Sequence, residues 1–210
     1  MSREDFVFMR KNITIDDIFN VAFITSLTTL FFSRLFYVLF HFDFSFLNPF
    51  VFFLIPYFPG LSLLGSVIGG VLSVLIITKQ KKFPRGRFLD FFSYAFLSVL
   101  PISYLGYVFI GEKQPLLFSL LPVFYYTFLF FFFLKILLPK FLQGQMRDGM
   151  LGLLILMNYS LFTAALLTIR LVSEKKSLLQ PELGVLLAVF FVSIIFYIRQ
   201  GAQLTFRRGK

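Results

Sequence analysis

Six long runs of apolar residues divide the chain, and short polar segments separate them. Because about 20 apolar residues cross the hydrocarbon core of a bilayer, the runs predict six membrane-spanning helices. Their approximate bounds are residues 18–40, 61–78, 88–110, 116–134, 150–169 and 183–198. Residues 14–17 read TIDD, which is typical of a capping box at the start of the first helix. We therefore expect an all-α multi-pass membrane protein with a single transmembrane domain over residues 1–210.

One further apolar segment, residues 46–58, is too short to cross a bilayer and contains Pro49 and Pro56. These features favour an interfacial or re-entrant segment between the first two spans. Pro101 and Pro122 fall inside the third and fourth runs and predict kinks there. Asp90 is expected in the first turn of the third helix, where the helix dipole favours an anion.

Composition supports the membrane assignment, since 58% of residues are hydrophobic and 14% are charged, against about 25% charged residues in soluble domains. The absence of Cys excludes disulfides and thiol catalysis, and the single His, His41, argues against a His-based metal site. We expect no metal and no cofactor. The net charge of +10 suggests either nucleic acid or an anionic membrane surface. Because the basic residues flank the apolar runs, the membrane is favoured and nucleic acid is not expected.

Lys and Arg are distributed unequally between the two sides of the predicted bundle. One side receives the N-terminal segment, the loops at 79–87 and 135–147, and the tail, whereas the loops of the other side hold only Lys113, Lys175 and Lys176. The positive-inside rule then predicts that both termini, residues 1–15 and the basic tail 200–210, are cytoplasmic in the plasma (inner) membrane. The 79–87 run is interpreted as a loop that contacts anionic lipid.

Three charged residues, Arg34, Arg170 and Glu112, fall near the non-cytoplasmic face in this orientation. An Arg at mid-bilayer costs at least about 2.5–3.5 kcal/mol and normally faces protein, water or an anionic partner. A phospholipid phosphate would suit a guanidinium fork. Arg170 has the alternative of snorkelling to the interface, and Glu112 that of a solvated loop charge. Arg34 snorkels less easily because at least six apolar residues follow it.

The small residues of the second span and the single histidine each have two interpretations. Gly65, Gly69 and Ser73 recur every four residues, which places small residues on one helix face. Such a face favours close packing of helices, and its glycines are alternatively expected to line a lipid path. His41 lies beside Asp43 in an outer loop, as an ordinary interfacial residue or as a base.

Four segments follow, in order and spacing, the motifs of one family. Residues 33–39, SRLFYVL, are similar to Gly-Arg-x-x-Tyr-Val-Leu, and residues 60–69, GLSLLGSVIG, resemble Gly-x-Ser-Phe-His-Gly-Gly-x-Ile-Gly. Residues 103–112, SYLGYVFIGE, resemble Gly-Arg-x-Gly-Asn-Phe-x-Asn-Gly-Glu, and residues 159–170 resemble Tyr-Gly-x-x-Arg-Phe-x-x-Glu-x-x-Arg. Together they resemble the prolipoprotein diacylglyceryl transferase family, which moves a diacylglyceryl group from phosphatidylglycerol to a cysteine of a lipoprotein precursor.

The resemblance implies a set of site residues and some losses. A lipid-headgroup site would comprise Arg34, Arg170, Glu112, Tyr104 and Tyr107, and helix packing or a lipid path would involve Gly65, Gly69, Gly106 and Gly111. The family's His, a general base for the thiol, is replaced by Leu64, and the signature Arg by Tyr104. The chain also begins where the family's second helix would begin, so we expect either an upstream start or a trimmed fold.

These observations leave two hypotheses of different classes. The first is a divergent transferase that acts on phosphatidylglycerol and a lipoprotein precursor. The second is a non-catalytic membrane protein that binds anionic phospholipid or a membrane partner in the remaining cleft. The replaced residues, Leu64 and Tyr104, favour the second, because a Tyr with a pKa near 10 is a poor general base.

Overall fold

The computed structural model describes residues 13–53, 57, 60–109, 116–143, 146–173, 175 and 180–208, and it contains no strand in these ranges. Six long helices account for most of them. They are α1 (Ile15–Phe40), α2 (Leu63–Gln80), α3 (Arg85–Phe109), α4 (Leu116–Phe132, Phe133–Leu137 and Leu138–Leu142), α5 (Met150–Ser173) and α6 (Pro181–Arg208). Each contains a stretch that is long and apolar enough to cross a membrane. The prediction of an all-α multi-pass membrane protein is therefore confirmed.

Each helix extends beyond its apolar run at one end or both, because polar residues at a membrane interface still continue a helix. Helix α2 begins two residues inside its run, and the described part of α3 ends one residue inside its run. The predicted capping box is confirmed at the start of α1, where the Thr14 hydroxyl accepts from the Asp17 N–H at 3.2 Å and Asp17 accepts from the Thr14 N–H at 3.2 Å. Asp90 lies in the second turn of α3 and not in the first, since this helix already begins at Arg85. Helices α3 and α4 run through Pro101 and Pro122.

Helix α4 extends beyond its predicted end through a π turn at Phe133–Leu137, in which the Leu138 N–H donates to the Phe133 carbonyl. The cause is Pro139, which follows the turn. Proline has no N–H to donate to the carbonyl four residues before it, and its ring collides with that carbonyl in a regular α-helix. One wider turn removes the collision, so the helix continues to Leu142.

The chain divides into two compact units. One comprises Met1–Arg85 and Ser160–Val189, and the other comprises Gly86–Tyr159 and Phe190–Lys210. In the first unit, α1 and α2 are joined by a 3-10 turn (Phe44–Leu47) and a short helix (Pro49–Phe53). These two elements include the first part of the segment 46–58, which the sequence predicts to be interfacial or re-entrant. Residues 54–56 and 58 of that segment lie outside the described residues.

Helices α1 and α2 pack closely because two glycines of α2 face phenylalanines of α1. A Cβ atom on Gly65 would lie 2.6 Å from the Phe32 carbonyl oxygen, and one on Gly69 would lie 2.4 Å from the Phe32 Cβ. Between the same helices, the Ser73 and Thr25 hydroxyls are 3.4 Å apart. Since lipid provides little hydrophobic drive for helix association, this close approach and the polar pair stabilise the helix pair.

We predict that Gly65→Ala destabilises the protein whereas Gly106→Ala does not. The added methyl at 65 collides with backbone and should cost about 1–3 kcal/mol, while a Cβ at Gly106 meets nothing within 4 Å and improves helix propensity. Thermal unfolding in detergent measures both changes. Equal shifts in the two variants would contradict the assigned packing role of Gly65.

Candidate functional site

Arg34 is the most deeply buried charged side chain of the first unit, with 1% of its surface exposed. Its Nε donates to the Phe52 carbonyl at 3.0 Å and its Nη1 donates to the Gly60 carbonyl at 2.8 Å. A longer bond of 3.4 Å joins Nη2 to the Val51 carbonyl. All three hydrogen-bond partners in the described part of the chain are neutral backbone oxygens. The guanidinium is therefore solvated by carbonyl dipoles while its charge stays uncompensated by these bonds.

The backbone around Arg34 is held by its neighbour in sequence. The Ser33 hydroxyl donates to the Ser62 carbonyl at 2.9 Å, and the Ser62 N–H donates to the Ser33 carbonyl at 3.0 Å. Ser62 is also the N-cap of α2, because its hydroxyl accepts from the Gly65 N–H at 3.2 Å. These bonds join the middle of α1 to the start of α2.

Gly60 occupies a position that only glycine fits. Its φ is +152°, and a Cβ atom there would lie 2.1 Å from the Tyr37 ring. The Tyr37 ring therefore rests directly on the Gly60 backbone, whose carbonyl accepts from Arg34. The segments 33–37 and 60–65, which carry two of the motif resemblances, thus contact each other in the fold.

Aromatic rings complete the surroundings of the guanidinium. The Arg34 Cζ lies 5.6 Å from the Tyr37 ring centroid and 5.1 Å from the Phe46 ring centroid, both within range of cation–π attraction. The His41 ring stacks on the Tyr37 ring, and the two ring centroids are 4.8 Å apart. The site therefore combines one buried cation, carbonyl oxygens and ring faces.

Only part of the expected headgroup site falls among the described residues of the first unit. Arg170 is exposed near the C-terminal end of α5 and is not among the partners of Arg34. Tyr104 and Tyr107 belong to the second unit, where the Tyr104 ring stacks on Tyr126 with centroids 5.5 Å apart. Glu112 and Gly111 lie outside the described residues, as does the side chain of Tyr107. Of the two headgroup residues that the structure describes in the first unit, Arg34 and Arg170, only Arg34 belongs to this cluster.

Sequence reasoning missed a second polar cluster, which is centred on Asp90 in the second unit. This carboxylate is fully buried and accepts from the Gly149 N–H at 2.6 Å and the Gly152 N–H at 2.7 Å. Asp90 thus caps the first turn of α5 instead of its own helix. Gly149 has φ +93°, and a Cβ on Gly86 would lie 2.5 Å from the Asp148 carbonyl carbon, so both positions require glycine.

Arg87 stands beside this cluster and is 3% exposed. Its Nη1 lies 3.2 Å from an Asp148 carboxylate oxygen and 3.4 Å from the Phe141 carbonyl, and its Cζ lies 3.7 Å above the Phe141 ring. The cluster joins the starts of α3 and α5 to the end of α4. A lone acid near the start of an apolar helix was the available sequence signal, because such residues are rare without a partner.

The described residues contain no candidate metal site, because no group of three or more His, Cys, Asp and Glu side chains is placed to hold an ion. Comparison with protein-family models, curated proteins and solved structures finds no match for the chain. The fold and its apolar helices define the class: a helical multi-pass membrane protein.

We predict that Asp90→Asn destabilises the protein by at least about 2 kcal/mol, because charge-assisted bonds to two amides are weakened. The amide nitrogen of Asn also faces one of these N–H donors without an acceptor. Thermal unfolding in detergent and faster hydrogen exchange at residues 149–152 measure the effect. The exposed Asp16 of α1 provides the control, since Asp16→Asn removes a charge without a buried partner. Similar losses in the two variants would argue against the capping role.

Proposed function

We propose that this protein binds the phosphate of an anionic phospholipid at Arg34, and that it does so as a non-catalytic relative of the transferase that its motifs resemble. Phosphatidylglycerol is the expected lipid. In this proposal the protein resides in the plasma (inner) membrane with both termini cytoplasmic and Arg34 toward the outer face. The distribution of Lys and Arg supports that orientation.

The observation that carries the proposal is a buried cation whose hydrogen-bond partners are neutral. Carbonyl dipoles reduce the free energy of burying a guanidinium, but they leave its net charge in place. Buried charges in proteins are generally paired with an opposite charge, and intramembrane Arg residues face protein, water or an anion. An anion at Arg34 would satisfy both rules.

The hydrogen-bonding capacity of Arg34 also fits a phosphate. A guanidinium has five N–H groups, and three of them donate to Val51, Phe52 and Gly60. With respect to the described residues, one N–H on each Nη remains for a ligand. Two N–H groups match two phosphate oxygens, which is the geometry that favours Arg over Lys at phosphate sites.

Entry of a headgroup requires local movement, since Arg34 is 1% exposed. The short helix Pro49–Phe53 contributes two of the three carbonyls and is the element that would move. Phe50 and Phe53 on this helix are 78% and 69% exposed. Helices that lie in the membrane interface bury Phe and Leu side chains at the boundary between headgroups and acyl chains, which supports lipid access from this side.

We predict that the purified wild-type protein retains phosphatidylglycerol in preference to phosphatidylethanolamine, and that Arg34→Gln weakens this retention at least about tenfold, since a charge-assisted bond is lost. Native mass spectrometry of lipid-bound species measures both. Lys135→Gln, which removes an exposed cation from α4, should retain the lipid.

Two results would contradict the proposal. One is an Arg34→Gln protein that unfolds as the wild type does and keeps the same lipid. The other needs no variant: a wild-type protein that releases anionic and zwitterionic lipids equally readily has no such site.

Diacylglyceryl transfer to a lipoprotein precursor is the second candidate. The contact of segment 33–37 with segment 60–65 favours it, because both segments resemble family motifs. Two other positions argue against catalysis. Leu64 stands where the family has its His and is 6% exposed, and Tyr104 stacks on Tyr126. Neither side chain is a base suited to deprotonate a thiol.

We predict that expression of this chain does not rescue a cell depleted of prolipoprotein diacylglyceryl transferase. Lipid attachment to a reporter lipoprotein measures the outcome, and an active transferase expressed from the same vector provides the positive control. Rescue at comparable protein levels would favour the enzyme over the lipid-binding relative.

A further inference from the structure

The turn between α2 and α3, residues 79–85, carries four basic side chains in seven residues. One of them has partners: the Lys81 Nζ lies 3.4 Å from an Asp17 carboxylate oxygen and 5.6 Å from the Phe83 ring centroid. The other three, Lys79, Lys82 and Arg85, are exposed and form no ion pair within the described part of the chain. The turn therefore presents three cations that have no counter-charge there.

The backbone of this turn holds a lysine where glycine is usual. The Phe83 N–H donates to the Thr78 carbonyl at 2.9 Å and the Lys82 N–H donates to the Lys79 carbonyl at 3.3 Å, which is the hydrogen-bond pattern of a Schellman motif. Lys82 occupies the left-handed position of this motif with φ 56°. A side chain with a Cβ is strained in this conformation, and glycine or asparagine is favoured.

Arg85 is also unfavourable in its local setting. It is the first residue of α3, and the positive end of the helix dipole repels a cation at that position. The turn thus keeps a lysine where the backbone disfavours a side chain and an arginine where the helix dipole disfavours a cation. Binding of an external anion would offset both costs.

We infer that the α2–α3 turn binds the headgroups of anionic phospholipids in the adjacent leaflet. Helix α2 has 18 residues and is about 27 Å long, close to the thickness of the hydrocarbon core. Its two ends, at Ser62 and at the turn, therefore reach opposite headgroup regions. The inference rests on the membrane-spanning architecture and does not depend on a ligand at Arg34.

The chain has no Cys, so Gln80→Cys gives one labelling position, which is exposed within the turn. We would attach a fluorophore there, reconstitute the protein in phosphatidylcholine vesicles, and measure quenching by headgroup-labelled phosphatidylglycerol. Each basic residue near an anionic surface contributes about a fivefold gain in affinity. We expect K79Q/K82Q/R85Q to weaken the apparent affinity about a hundredfold, and added salt to weaken wild-type binding.

The matched control is K113Q/K175Q/K176Q, which removes three cations from the loops that the Lys and Arg distribution assigns to the opposite side of the membrane. It should leave quenching near position 80 within about twofold of wild type, since charges across the bilayer are beyond the screening length. Equal losses in the two triple variants would overturn the inference, as would unchanged quenching in the turn variant.

A single substitution separates binding from stability. Lys82→Asn suits the left-handed conformation and lacks the charge, so we expect a melting temperature equal to or above that of wild type together with about fivefold weaker lipid binding. Unchanged binding would overturn a role for Lys82. Soluble glycerol phosphate at the same concentration as the labelled lipid should not compete, and full competition would overturn the assignment to a lipid surface.

Discussion

A charged group in the apolar interior of a helical bundle must be solvated by polar protein atoms, because lipid tails contain no polar groups. Around Arg34 this requirement determines the structure of the segment that follows α1. Carbonyls inside a long helix are already bonded, so the oxygens that face Arg34 come from the last turn of a short helix, at Val51 and Phe52, and from Gly60 ahead of α2. The short helix, the glycine beneath Tyr37 and the cap of α2 are arranged around that demand.

The same requirement applies to a buried anion at Asp90. Here the charge is negative, and the available donors are the unbonded N–H groups at the start of another helix. The cation is thus solvated by carbonyls at the end of a short helix and in a loop, and the anion by the unbonded amides at the start of α5. In both cases a glycine with positive φ supports the arrangement, Gly60 for the cation and Gly149 for the anion.

Hydrophobic patterning was sufficient to predict the six helices. Each membrane-spanning segment must satisfy its backbone hydrogen bonds internally and needs about 20 apolar residues to cross the bilayer. The Thr14 cap was predictable for a similar reason, since its partners are three residues apart. The extension of α4 past Lys135 was not, because it depends on how a π turn accommodates Pro139.

The site was less accessible to sequence reasoning than the fold. Arg34 was recognisable as a residue that needs a partner, but its partners are backbone atoms, which have no residue signature. Asp90 has the same property: its donors are the N–H groups of Gly149 and Gly152, about 60 residues away. Side-chain motifs identify the charged group, whereas tertiary structure decides which peptide groups surround it.

The π turn of α4 changes the helical phase of everything that follows it. One inserted residue rotates the next turns by about 100° relative to an uninterrupted α-helix. Phe141, just beyond the turn, directs its ring and carbonyl at Arg87, and this contact depends on the rotated phase. A proline such as Pro139 would ordinarily end a helix. Here it determines the rotation of the last residues of α4, so that this end of the helix faces Arg87 on α3.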